Sequence, residues 1–240
     1  MSSENSVQMP ARTLAIGDIH GCDIALETLL NCVQPTTDDT VIILGDIVDR
    51  GPDTRRCIDL LLDMEDTCQL VFLMGNHEEM MLDAYHQGAW GDAWTRYGGV
   101  ETLESYQCGI EGLPSSHIDF IQSGRDYFQT AQAIFVHANL EPHIHLDRQS
   151  AQSLRWTHLT GNEQPHVTGK RIVCGHTSQK SGVPAVMDGW VCIDTFAHGG
   201  EFLTCLDINR DIIVRTKQTG ELEAEIPLDE IALVFQPRGN

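Results

Sequence analysis

The sequence predicts an α/β fold (in part α+β), and three observations carry that expectation. Short apolar runs each end in a glycine and a polar residue: RTLAIGD at 12–18, DTVIILGD at 39–46 and CQLVFLMGN at 68–76. Stretches of helical period separate these runs. The spacing is regular, 28 residues from Asp18 to Asp46 and 30 from Asp46 to Asn76, which matches the ~30 residues of a strand–helix–strand unit. Strands alternating with helices argue a parallel sheet with helices packed on it.

Taken in order, residues 1–11 read as a flexible leader and 12–240 as a single domain. The leader lacks a basic segment followed by an apolar one, so a secretory signal is not expected and the chain is placed in the cytoplasm. CDIALETLLNCV (22–33) has apolar positions at helical spacing. DTRRCIDLLLDME (53–65) does too, opened by Pro52 and Asp53 as start signals. From about 77 to 125 the pattern is helical with glycine breaks, and SSHIDFIQS (115–123) is a further helix; this reads as a helical insertion beside the sheet. The last third is strand-rich: QAIFVHA, KRIVCGH, WVCIDT, EFLTCLDI and DIIVRT. Consecutive short strands suggest a second, antiparallel sheet.

Composition narrows the function classes. The 35 acidic residues outnumber the 15 basic ones and set the net charge at −20. A nucleic-acid partner is therefore not expected, because such binders carry a basic face. No run approaches the ~18 apolar residues of a membrane span. The eight cysteines form no C-x-x-C pair and sit among apolar neighbours, as small buried hydrophobes do. Oligomeric state is left open.

The chemistry lies at the strand ends. Asp18 and His20 close the first strand in GDIHG, Asp46 the second in GDIVDRG, and Asn76 the third in GNHE. His137 in FVHAN and His176 in IVCGHT close two later ones. Taken singly, each has a plain reading as a turn residue, a cap or a satisfied histidine. Together they deliver hard oxygens and imidazoles to one edge of an α/β sheet, where such folds bind ligands. Mixed His, Asp and Asn donors without thiolate suit manganese, iron or zinc. Asp46 has two oxygens and can bridge two divalent ions ~3.5–4 Å apart. Asp18 and His20 complete one half-cage; Asn76, His137 and His176 complete the other. His77, left outside both, is a candidate general acid, with Asp49 orienting its ring and Arg50 gripping phosphate oxygens. As plain alternatives, Asp49 and Arg50 form a surface ion pair and His77 caps a helix.

GDIHG, GDIVDRG, GNHE, the histidine of VHAN and the histidine of CGHT closely resemble the motifs of the phosphoprotein phosphatase family of metallophosphoesterases, over residues 13 to about 208. The resemblance implies the calcineurin-like fold, a central β-sandwich flanked by helices. It implies a two-metal site, often manganese, and direct attack on phosphorus by a metal-bridging water without a phosphoenzyme. It implies the same six ligands, with His77 as acid, Asp49 as its partner and Arg50 on phosphate.

Two substrate classes fit the family. One is phosphoserine or phosphothreonine in proteins, together with small phosphoesters; the other is diadenosine tetraphosphate, cut symmetrically. Relatives of the second kind commonly carry Ala at the position of Asp49 and Asp at that of Glu78, so DRG and GNHE here resemble the bacterial Ser/Thr phosphatases. A non-catalytic phosphate- or metal-binding module is the reading from another class. One departure stands out. Many bacterial members have a phosphate-gripping arginine in a W-x-R pattern, whereas this chain has LRWTHL, with His158 at that place and Arg155 upstream. Arg155 and His158 are therefore the candidates for the second phosphate contact. The segment HGGEF, containing His198, resembles a loop that rims the site.

Overall fold

The structure, a computed structural model, describes residues 11–234. Apart from Ala11, the expected leader lies outside the described residues. Strand β1 (Thr13–Ile16), helix α1 (Asp23–Val33), strand β2 (Thr40–Ile43), helix α2 (Thr54–Met64) and strand β3 (Gln69–Phe72) follow the alternation read from the sequence. The three strands pair in parallel, Thr13 opposite Thr40 and Thr40 opposite Gln69. Asp53 starts α2 by accepting the Arg56 N–H at 2.9 Å, which satisfies a donor the first helical turn leaves unpaired.

The insertion is helical, as the sequence predicts: α3 (Asn76–Tyr85), α4 (Gly91–Trp94), a π-helical turn at Thr95–Gly99, α5 (Val100–Tyr106) and α6 (Ser115–Gln122). After it come β4 (Tyr127–Gln129), β5 (Ala133–Val136), α7 (Ala151–Trp156), β6 (Arg171–Cys174), β7 (Ala185–Met187) and β8 (Trp190–Cys192). The chain continues through β9 (Phe202–Asp207), β10 (Ile212–Lys217), β11 (Leu222–Pro227), α8 (Leu228–Ile231) and β12 (Leu233–Val234).

Two six-stranded sheets result, ordered β11-β10-β9-β1-β2-β3 and β12-β7-β8-β6-β5-β4. The antiparallel second sheet expected from the last third is corrected in two ways. EFLTCLDI and DIIVRT become β9 and β10 and extend the first sheet, β9 antiparallel to β1 and β10 antiparallel to β9. Within the second sheet, β5, β6 and β8 pair in parallel. The link from β5 to β6 runs from residue 137 to 170 and contains α7, long enough for the crossover that parallel neighbours need and far too long for a hairpin. Two free sheet edges accept the same alternating pattern, so the pattern alone did not say which one β9 would join.

The period of two along each strand sorts the core into layers. Ala15, Ile42 and Val71 of the first sheet meet Phe135, Val173 and Val191 of the second between the sheets. Leu14, Ile16, Val41 and Ile43 point the other way, onto Leu26 and Leu29 of α1 and Ile58 and Leu61 of α2. Ile134, Ile172 and Trp190 on the outer face of the second sheet pack with Leu154 of α7 and Leu140 and Leu159 of the loops. The β-sandwich with flanking helices is thus the fold the sequence led us to expect. The eight cysteines are free. Among the described residues no helix is long and apolar enough to cross a membrane.

Candidate metal centre

The strand ends converge on one buried cluster of polar residues. Asp18, His20, Asp46, Asn76 and His137 are all less than a tenth exposed. The backbone there is bent hard: His20, Asp46, Asp49, Arg50 and His176 all have positive φ, from 46° to 73°. Non-glycine residues avoid that region except where surrounding structure holds them, and such positions gather at functional sites. Two glycines permit the approach of the loops. A Cβ on Gly75 would collide with Asp46 Oδ1, and one on Gly175 with Asp18 Oδ1.

Asp46 lies between the histidines. Its Oδ1 is 3.4 Å from His137 Nε2 and its Oδ2 is 3.5 Å from His20 Nε2. Asp46, His137 and His176 bring one ligand atom each within 4.8 Å of one another, and so do His20, Asp46 and His77. Asn76 Oδ1 is 3.1 Å from His137 Nε2. Asp18 stands outside both trios, its carboxylate accepting the His176 backbone N–H at 3.0 and 3.2 Å. The half-cage read as Asn76, His137 and His176 on Asp46 is thus gathered. In the other, His77 approaches His20 and Asp46 more closely than the sequence division assumed.

The tautomers make a fit test for a cation. His137 Nδ1 is 2.8 Å from the Leu44 carbonyl, and His20 Nδ1 is 2.8 Å from that of Val48. A carbonyl only accepts, so both Nδ1 atoms donate, and in the neutral tautomer each Nε2 carries the lone pair. His137 Nε2 then faces Asn76 Oδ1 and Asp46 Oδ1. Three electron-rich atoms converging without a hydrogen to share fit a cation between them, and the hydrogen-bonded far nitrogens are what oriented metal-binding histidines show. His176 uses its other nitrogen: Nε2 donates to the Trp156 carbonyl at 3.1 Å, which leaves Nδ1 for the site. Burial lowers the His176 pKa to about 3 and that of His20 well below its ordinary value, which keeps both imidazoles neutral and able to donate a lone pair. Burial, together with Asp194 and Asp46, pushes the Asp18 carboxyl up. Burial would also raise Asp46, yet the imidazoles facing it, His137 first and then His77, His20 and His176, lower its pKa wherever they carry a proton.

His77 is fixed from behind. Its Nδ1 lies 2.7 Å from Asp49 Oδ2. Asp49 also accepts from Trp94 Nε1 at 2.9 and 3.0 Å and from Thr102 Oγ1 at 2.9 Å. Burial works against a charged His77, but Asp46 and the Asp49 bond outweigh it and its pKa is raised. Trp94 and Thr102 belong to the insertion and carry no motif, so the sequence reading missed them. Gly98 of the insertion also accepts the Arg50 backbone N–H at 3.1 Å. The insertion therefore braces the DRG turn.

Glu78 had figured only as a residue that separates relatives, and its structural role went unread. Fully buried, it accepts from the backbone N–H groups of Asp46, Ile47, Val48 and Gly75 at 2.6–3.2 Å, which ties the GDIVDRG loop to GNHE. Burial, with Asp46 nearby, raises its pKa to about 7.

The phosphate-contact candidates divide. Arg50 and His158 line a cleft of about 260 Å³ over the cluster, with Asp46, Asn76, His77 and His176 on its floor and Trp90, Tyr97 and Trp156 along its wall. Arg50 Nη1 donates to His20 Nε2 at 2.9 Å and lies 3.4 Å from His198 Nε2, so the rim loop does reach the site. His158 stacks on His176 with ring centroids 4.3 Å apart. Arg155 is not among the cleft-lining residues. Its guanidinium is bound by Glu79 and Asp126, so here it is engaged away from that cleft.

The sequence model of the calcineurin-like phosphoesterases matches residues 11–187. Among curated proteins, Serine/threonine-protein phosphatase 1 of Salmonella typhimurium is 36% identical over 85 residues, covering 35% of this chain and 37% of that protein. The symmetrical bis(5'-nucleosyl)-tetraphosphatase of Neisseria meningitidis is 26% identical over 176 residues, covering 72% of this chain and 57% of that protein. The matches thus span a third to somewhat over half the length of these relatives. Among solved structures, the cold-active protein-tyrosine phosphatase of a psychrophilic Shewanella superposes with a TM-score of 0.62 at 20% identity, covering 94% of this chain and 85% of the other, which speaks to the fold.

Proposed function

Because the chain belongs to the calcineurin-like phosphoesterases, we propose that it is a two-metal phosphomonoesterase acting on phosphoserine or phosphothreonine in proteins and on small phosphoesters. The metals proposed are two divalent ions, manganese before iron or zinc, held by Asp18, His20, Asp46, Asn76, His137 and His176 with Asp46 between them. The observation that carries the reading is the buried Asp49–His77 pair, 2.7 Å apart, at the floor of the cleft. A monoester of serine or threonine leaves as a poor alkoxide and gains most from a positioned acid.

In this reading each residue has one task. The bound ions would supply Lewis acidity at the phosphoryl oxygens and a nucleophile at neutral pH. Arg50 lines the cleft with Nη1 donating to His20 Nε2, and with a metal on His20 that N–H would be released to a phosphoryl oxygen. His77, held at Nδ1 by Asp49, turns Nε2 to the site and gives its proton to the leaving oxygen as the ester bond breaks. Asp49 keeps the tautomer and steadies the imidazolium beforehand. His158, on the cleft wall beside His176, contributes a further phosphate contact.

A second reading, a symmetrical dinucleoside-tetraphosphate hydrolase, is favoured by relatives such as the Neisseria protein, itself a symmetrical bis(5'-nucleosyl)-tetraphosphatase. The wall of Trp90, Tyr97 and Trp156 would suit it, since a nucleobase stacks on such rings. The test is a side-by-side assay with manganese of a phosphoserine and phosphothreonine peptide panel and of diadenosine tetraphosphate. The proposal expects the higher kcat/KM on a phosphopeptide. Release of ADP from diadenosine tetraphosphate at the higher efficiency would reverse it.

A further inference from the structure

Arg155, turned away from the cleft, has another task. Its Nη1 donates to Glu79 Oε2 at 3.0 Å, and the neighbouring Trp156 Nε1 donates to the same oxygen at 3.2 Å. The second arm of the guanidinium is bound by Asp126. Glu79 lies on α3, three residues beyond Asn76 and so about one turn along the helix that Asn76 opens. The backbone carbonyl of Trp156 accepts the His176 Nε2–H at 3.1 Å, and its ring stacks on Trp90 with centroids 5.4 Å apart.

From this geometry we infer that Glu79 and Arg155 are positioning residues which clamp Trp156, and through its carbonyl fix His176 as the Nε2–H tautomer with Nδ1 presented to the metal site. Trp156 is the last residue of the six-residue helix α7, where carbonyls lack helical partners. The N–H groups of Ala138 and Asn139 hold the Leu154 and Ser153 carbonyls of α7, and the clamp adds the anchor at residues 155 and 156 that carry the carbonyl to the imidazole. With it, one carboxylate oxygen anchors both the tryptophan ring and the arginine before it to the helix that carries Asn76. Two donors of one half-cage, Asn76 and His176, are thereby tied to the same short piece of structure. The inference rests on reading His176 as a ligand, and not on the substrate class.

The test uses Glu79→Gln, which keeps the shape, Arg155→Met, which keeps the stem, and Arg155→Lys, which keeps a cation for Glu79. Imidazole ¹⁵N shifts of His176 in the metal-free protein should report the Nε2–H tautomer in the wild type and a mixture in Arg155→Met. Manganese titration should show one of two ions bound about tenfold more weakly in Arg155→Met, the size typical of lost outer contacts to a ligand, with the other unchanged. Glu79→Gln should move the same way, and Arg155→Lys should restore both readouts. An unchanged tautomer in both Arg155→Met and Glu79→Gln overturns the clamp, and so does equal weakening of both ions. The tautomer readout needs no metal, so it decides the clamp whatever the wild-type stoichiometry says of the two-ion reading.

Discussion

His77 Nδ1 stands 2.7 Å from Asp49 Oδ2, and Asp49 in turn is held by the indole of Trp94 and the hydroxyl of Thr102. One ring nitrogen is thereby committed to a carboxylate and the other is left for the cleft. That arrangement fits the proposed role of His77 as an acid and not a ligand, and it can be tested on both counts. His77→Asn is expected to lower kcat by roughly 10²–10⁴ while two metal ions per chain remain. Asp49→Asn should act in the same direction with less effect on KM. Metal loss in His77→Asn, measured by elemental analysis, would make His77 a ligand.

Glu78 tests the join between the two motif loops. Its Oε1 accepts from Ile47 and Val48 and its Oε2 from Asp46 and Gly75. In Glu78→Gln an NH₂ group must face two N–H donors on one side. Leaving those buried donors unpaired costs about 1–3 kcal/mol, a fall in Tm of about 2–12 °C for a chain of this size. A thermal melt of Glu78→Gln within 1 °C of the wild type, taken here as about the reading error, would remove Glu78 from this role.

Asp39 governs acid stability away from the site. Burial would raise its carboxyl, but the Arg12 side chain and the N–H groups of Thr36 and Arg12 outweigh burial and hold its pKa at about 2. The folded state therefore binds the proton more weakly than the unfolded chain. The resulting stability is complete above the ordinary Asp pKa near ~3.9 and fades as the pH falls toward 2. Denaturant melts from pH 6 to pH 2 should show about 2 kcal/mol less stability for Asp39→Asn at the upper end, with the two proteins converging at the acid end. Parallel curves would contradict it.

The sequence disclosed what repeats and what is local. Asp18, Asp46 and Asn76 were legible because each follows a buried strand and a glycine, and the strand–helix unit sets their spacing. The layers of the core were legible because a strand alternates its faces. Strand membership was not: β9 reaches β1 only through long-range pairing, and its pattern fits either sheet. Trp94 and Thr102 were invisible because they approach Asp49 from 45 and 53 residues away along the chain with no motif around them. Arg155 stayed open between a phosphate contact and a surface arginine for a related reason. Beside a tryptophan it resembles a phosphate-binding arginine, and only the fold brings Glu79 and Asp126 to it.

Asp46 is proposed to stand between two divalent ions and to serve both. The direct measurement is metal content together with manganese-dependent hydrolysis of p-nitrophenyl phosphate in Asp46→Asn. The wild type should bind two ions per chain, and the variant should lose tight binding of both along with the hydrolysis. A variant that keeps two ions and most of its activity would contradict it.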